Sequence, residues 1–131
     1  KYTVRLNGTS DLPFERYKLA NGLNLMKNNP NVQFIDYTKI TNRLFQKLPK
    51  NYSLTYSQAE NNLKDVKQVL KTKYNIATVF RKKLPKKWLG RKVINGDLSD
   101  LRHLEDGKKI IVGLIAKGRA IKNFNGFVQD V

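Results

Sequence analysis

Short runs of β-branched and aromatic residues recur along the chain, at Tyr2–Leu6, Val32–Ile35, Tyr52–Tyr56, Ile76–Phe80 and Ile110–Ala116. They constrain the fold more than any other feature. Each has strand length, and each is bounded on at least one side by Gly, Pro or Asn turn signals. The stretches between them read as helices. Leu12-Pro13 opens one in which Phe14, Tyr17, Leu19, Leu23 and Met26 recur at roughly helical spacing, and Asn28-Asn29-Pro30 ends it. A shorter helix is expected around Ile40 to Phe45. Ser57 and Glu60 form an S-x-x-E capping box at the head of the next. There Ala59, Leu63, Val66, Val69 and Leu70 share a face, and Lys64, Lys67, Lys71 and Lys73 lie largely off it. Val93-Ile94 is a strand stub, and a brief helix is expected near Leu98 to Leu104.

Strands of buried character alternating with helices predict an α/β domain. Its strand–helix units would surround a mainly parallel sheet, as an open layer or a partial barrel. In such folds ligands bind at the carboxyl ends of the strands. That rule selects Asn7, Ser10, Asp11, Asp36, Tyr37, Ser57 and Asp97 as a candidate strand-end pocket.

Residues 1–131 fit a single domain with a real core. The sequence opens at Lys1 without a methionine, so it reads as processed or as part of a longer chain. It holds no cysteine, which excludes a disulfide scaffold, thiol catalysis, a thiolate zinc site and a cysteine-ligated iron–sulfur cluster. His103 is the sole histidine, so a multi-histidine metal site is also excluded. No apolar run approaches the length that spans a bilayer, and no signal peptide opens the chain. The expectation is a cytoplasmic protein (in a host's cytoplasm if phage-encoded), with no membrane partner.

The chain has 26 Lys plus Arg against 10 Asp plus Glu, a formal net charge of +16. An excess of that size attracts polyanions and makes nucleic acid, DNA or RNA, the leading partner. The charge is densest in the loop at 81–92, which holds seven basic residues and no acid. There Arg81, Lys82, Lys83, Lys86, Lys87, Arg91 and Lys92 are candidates for phosphate contact, and Trp88 for stacking on an unpaired base. Lys117 and Arg119 extend the candidate surface in the tail. The alternative for Trp88 is a cap on the core.

Chemistry at the strand ends is less specified. Asp11, Asp36 and Asp97 each follow a strand. Brought together, they would bind magnesium and support hydrolysis of a phosphodiester; taken singly, they cap a helix, pair with a lysine and shape a turn. No metal ligand, cofactor or catalytic residue is assigned. His103 has no identifiable nucleophile partner, and Ser10 and Ser57 lack a nucleophile elbow.

The segments Arg5–Pro13, Phe34–Lys39, Asn51–Glu60, Val93–Asp97 and Ile111–Gly118 resemble, in order, a family of uncharacterised phage and plasmid proteins. The resemblance implies a mobile-element origin. More distantly, the chain is similar to the later part of the radical S-adenosylmethionine partial barrel. That similarity implies a strand end at Gly8 to Asp11 facing the cofactor's amino acid moiety, and one at Ser57 to Glu60 near its ribose. The barrel's cysteine triad has no counterpart here. Three functions stay open: a basic nucleic-acid-binding domain, a metal- or cofactor-dependent enzyme on nucleic acid or nucleotide, and a viral structural or interaction protein.

Overall fold

The computed structural model describes residues 2–131. Eight strands form one mixed sheet among them: β1 (Tyr2–Arg5), β2 (Val32–Thr38), β3 (Tyr52–Ser57), β4 (Ile76–Phe80), β5 (Lys87–Trp88), β6 (Arg91–Asn95), β7 (Ile111–Ile115) and β8 (Val128–Gln129). Their order is β1-β2-β3-β4-β7-β6-β5, with β8 also on β4. Every pairing is parallel except the β5–β6 hairpin. The five strands expected from β-branched runs are present, because such side chains pack well on a pleated, buried surface.

The expected α/β domain of alternating strand–helix units is not formed. Among the described residues the α-helices are short: α1 (Leu25–Asn28), α2 (Thr41–Leu44) and α3 (Leu63–Val69). Most connections are loops and single 3-10 turns, so strands dominate. The long helix expected from Leu12 fails for a local reason. Gly22 adopts φ +80°, and Leu19 and Leu23 close a turn through Leu19 N–H to Leu23 O (2.8 Å). Asn24 then caps α1 by accepting from Lys27 N. Tyr17, Leu19 and Leu23 are left about half exposed rather than on a buried helical face.

The capping box is also not realised. Ser57 belongs to β3, and α3 begins only after Asn62, whose side chain accepts from Ala59 N and donates to Ser57 O. The helix expected near Leu98 to Leu104 is replaced by 3-10 turns at Gly96–Leu98 and Arg102–Glu105. Residues 81–92 are only partly loop. Leu89 and Gly90, at φ 51° and 80°, make the tight turn of the β5–β6 hairpin.

The main core lies on one face of the sheet. Phe34, Tyr52, Leu54, Tyr56, Ile76 and Ile111 pack there against Met26, Leu44, Val66 and Val69 from the helices. Burial of each such side chain contributes about 1.5–3 kcal/mol. The opposite face carries a smaller cluster of Ala77, Ile110 and Val112, with Tyr37, Ile94 and Leu114 against it. Segment 96–107 covers the part nearest the strand starts: Ser53 Oγ donates to Asp106 Oδ1, and Asn75 Nδ2 donates to Glu105 O (2.7 Å). This crossing requires Gly96, since a Cβ there would stand 2.4 Å from Val112 Cγ1.

Candidate functional site

Along β3 the residues facing the second side are small and polar where those facing the first have bulk. In β3, Tyr52, Leu54 and Tyr56 point into the main core, and Ser53, Thr55 and Ser57 point the other way. Small side chains alone would leave a shallow face; the sheet's branching turns it into a pocket. β3 leaves β4 after Ser57 pairs with Ala77, and β8 takes its place beside Val79 and Phe80. A cavity of about 460 Å³ opens at this fork, on the carboxyl ends of the strands. Ala77, Val79 and Leu114 form its apolar floor, Tyr37 and Phe127 its aromatic walls. Its rim is the loop after β1, from Gly8 to Asp11, together with Arg5, Lys39 and Asp100.

Two side chains beneath the rim hold that loop. Asp36, 1% exposed, accepts from Asn7 N (2.7 Å), Asn7 Nδ2 (2.9 Å) and Tyr52 OH. The Asn7 side chain in turn accepts from Ser10 Oγ and Leu12 N and donates to Leu12 O, so the loop wraps around it. Asp11 accepts from Lys39 N (2.8 Å) and from Arg43 Nη1 (2.7 Å), which ties the loop to the end of β2 and to α2. Arg43 also pairs with buried Glu15 and donates to Tyr52 OH. Burial opposes charge on this guanidinium, but Glu15, Tyr52 and Asp11 outweigh burial and hold its pKa above the ordinary value. Burial, reinforced by Asp36, pushes the Tyr52 phenol well above the usual tyrosine range.

Of the residues selected by the strand-end rule, Ser10, Asp11, Tyr37 and Ser57 line the pocket. Asn7 and Asp36 lie buried under it. Asp97 is elsewhere, accepting from Ile115 N and pairing with Lys117 Nζ at 3.3 Å. The three aspartates therefore have separate partners, and among the described residues no group of three His, Asp or Glu can hold a metal ion. The rule missed Arg5, Lys39, Asp100 and Phe127. Strand parity carried a signal for the first: Arg5 is in register with Ile35, two residues before Tyr37 on the same face.

The basic segment divides into two kinds of residue. Arg81 is internal scaffolding: it pairs with Asp130 (2.6 Å), donates to Ile121 O and Asn123 O, and lies 4.0 Å from the Phe124 ring. Trp88 meets Phe80 edge to face and donates from Nε1 to Gln58 Oε1 (3.0 Å). Arg91, 7% exposed, donates to the carbonyls of Leu70, Thr72 and Tyr74 at 2.9, 2.9 and 2.6 Å. Those are carbonyls at and beyond the end of α3, which lack helical partners. Burial lowers the Arg91 pKa.

The remaining residues, Lys82, Lys83, Lys86, Lys87 and Lys92, are exposed. Lys87 stands directly across the hairpin from Lys92, a like-charge pairing that disfavours the hairpin on its own. By clamping the hairpin to the end of α3, Arg91 also brings in Lys71 and Lys73, expected largely off the apolar face of that helix and found in the turn after it. None of these lysines makes a salt bridge among the described residues. In the tail Lys117 pairs with Asp97, and Arg119 sits exposed in the 3-10 turn at Gly118–Lys122.

No helix of the described residues is long and apolar enough to cross a membrane. No curated protein and no solved structure matches the chain. One family model, described as gene product 88, matches residues 1–130. That match covers almost the whole chain, which belongs to the gene product 88 family.

Proposed function

We propose that this chain is a phage-type nucleic-acid-binding domain that grips its partner by phosphate contacts. The observation that carries the reading is the unneutralised lysine surface joined by Arg91. Lys82, Lys83, Lys86, Lys87 and Lys92 of the hairpin segment lie beside Lys71 and Lys73 in the turn that follows α3, with Lys87 and Lys92 opposed. A folded chain gains nothing locally from setting like charges face to face, whereas a phosphate backbone neutralises each of them and releases counterions. Contacts of this kind are sequence-tolerant, since they read charge and not base edges. Trp88 supports the surface from below, because its indole N–H is already spent on Gln58 and its ring packs perpendicular to Phe80.

The distant similarity to the S-adenosylmethionine barrel contributes no chemistry. A radical reaction of that kind needs three cysteines around an iron–sulfur cluster, and the chain has none.

Electrophoretic mobility of short single- and double-stranded DNA and RNA tests the proposal. The wild type should retard all of them at low salt, and the variant with Lys82, Lys83, Lys86 and Lys87 changed to Glu should not. Equal retardation by both proteins would refute it.

A further inference from the structure

The pocket at the β3–β8 fork lies on the sheet face opposite the core, and its lining differs in kind from the lysine surface. Its floor of Ala77, Val79 and Leu114 is apolar, and its walls are the rings of Tyr37 and Phe127. A cation stands over each ring: Arg5 at 4.9 Å from the centre of Tyr37 and Lys39 at 5.4 Å from that of Phe127. The backbone amides of Gly8, Thr9 and Ser10, exposed on the rim, donate to no described residue. Asp11 accepts from Lys39 N and from Arg43, a guanidinium that it shares with Glu15. Asp100, also on the rim, is exposed and accepts from no described donor through its side chain.

A ligand that satisfies all of these groups needs a flat apolar ring, a neighbouring pair of hydroxyls and an anion. The volume, about 460 Å³, is that of a small-molecule site. From this combination we infer that the fork pocket binds a nucleoside phosphate. Its base lies on the apolar floor against Tyr37 and Phe127, its ribose hydroxyls donate to Asp100, and its phosphate faces Arg5, Lys39 and the free amides of the β1 loop. Carboxylates hold ribose hydroxyls elsewhere by the same acceptor chemistry, and cations with free amides hold phosphate. The nucleotide comes either from free solution or from the end of a strand held on the lysine surface. The site itself does not depend on that surface.

Isothermal titration of the full chain with adenosine, guanosine, cytidine and uridine 5′-monophosphates tests the inference, with adenosine and inorganic phosphate as controls. At least one monophosphate should bind measurably. Lys39→Glu should weaken it about tenfold or more, the worth of one charge-assisted contact. Asp100→Asn should weaken the ribonucleotide more than its 2′-deoxy counterpart. The variant with Lys82, Lys83, Lys86 and Lys87 changed to Glu should bind the monophosphate within about twofold of wild type, which separates this site from general charge attraction. A 5′-phosphorylated oligonucleotide that competes for the pocket identifies a strand end as the source; failure to compete identifies the free nucleotide. No binding by any monophosphate at about 1 mM, or inorganic phosphate binding as tightly as all of them, would overturn the inference. So would loss of monophosphate binding in the lysine variant but not in Lys39→Glu, whatever the wild type does with nucleic acid.

Discussion

Arg43 and Glu15 form a two-pronged ion pair, Nε to Oε1 and Nη2 to Oε2, each at 2.9 Å, with the side chains 1% and 3% exposed. Burying two charges is costly, and only this geometry, completed by Asp11 and Tyr52, offsets the loss of water. Replacing Arg43 by Met leaves Glu15 charged and uncompensated. The expected cost is about 3–5 kcal/mol, measured by urea unfolding. Lys at this position should restore little of it, because a single ammonium does not reproduce the planar fork.

Asp106 gives a pH-dependent prediction. The residue is exposed as a whole, but desolvation of its carboxyl beside Ser53 raises the pKa, against the opposing pull of the Ser53 hydroxyl and of His103. A carboxyl whose folded pKa lies above its unfolded value binds more protons folded than unfolded. Its stabilising contribution is therefore complete below the unfolded pKa and is lost as pH rises through the folded one. Asp106→Asn removes the charged form while keeping an acceptor for Ser53. The variant should be more stable than wild type at neutral pH, and the difference should vanish below the ordinary carboxylate range. Paired denaturation curves across pH check the sign.

Arg91→Ala should detach the hairpin from α3. Several carbonyls lose a charged donor at once, so the loss should be about 2–4 kcal/mol. Hydrogen exchange should accelerate at the end of α3 and in β5 and β6, and affinity for nucleic acid should fall although Arg91 itself is buried.

The hairpin turn also stores removable strain. Leu89 is held at φ 51°, a region that costs an ordinary side chain about 1–2 kcal/mol. Leu89→Asn, which creates the preferred Asn-Gly pair of this turn, should stabilise the chain by about 0.5–1 kcal/mol without changing nucleic-acid binding. Thermal unfolding and mobility shifts measure the two parts separately.

What was legible in the sequence follows from which interactions are local. The runs at Ile76–Phe80 and Ile111–Ile115 announce themselves because two-sided burial demands continuous apolar residues. The strand-end rule reached Ser10, Asp11, Tyr37 and Ser57 because parallel strands gather their carboxyl ends together. Helical spacing misled at Leu12 to Met26, where Gly22 and the Asn24 cap outcompete it. Arginines were the least legible. Arg43, Arg91 and Arg102 count toward net charge, yet all three are buried, at 1%, 7% and 2% exposure, the first two by partners distant in sequence. Phe127 was missed as a pocket wall because it depends on β8, two residues long and paired with β4 from the far end of the chain.

The salt dependence of nucleic-acid affinity tests the central claim most directly. Fluorescence anisotropy should give a straight, steep fall of log affinity with log salt, with a slope of about −0.9 for each phosphate neutralised on duplex DNA. Changing Lys82, Lys83, Lys86 and Lys87 to Glu should flatten that slope by about 3–4 and weaken binding on every sequence alike. A slope unchanged by the substitutions, or no binding even at low salt, would contradict the account.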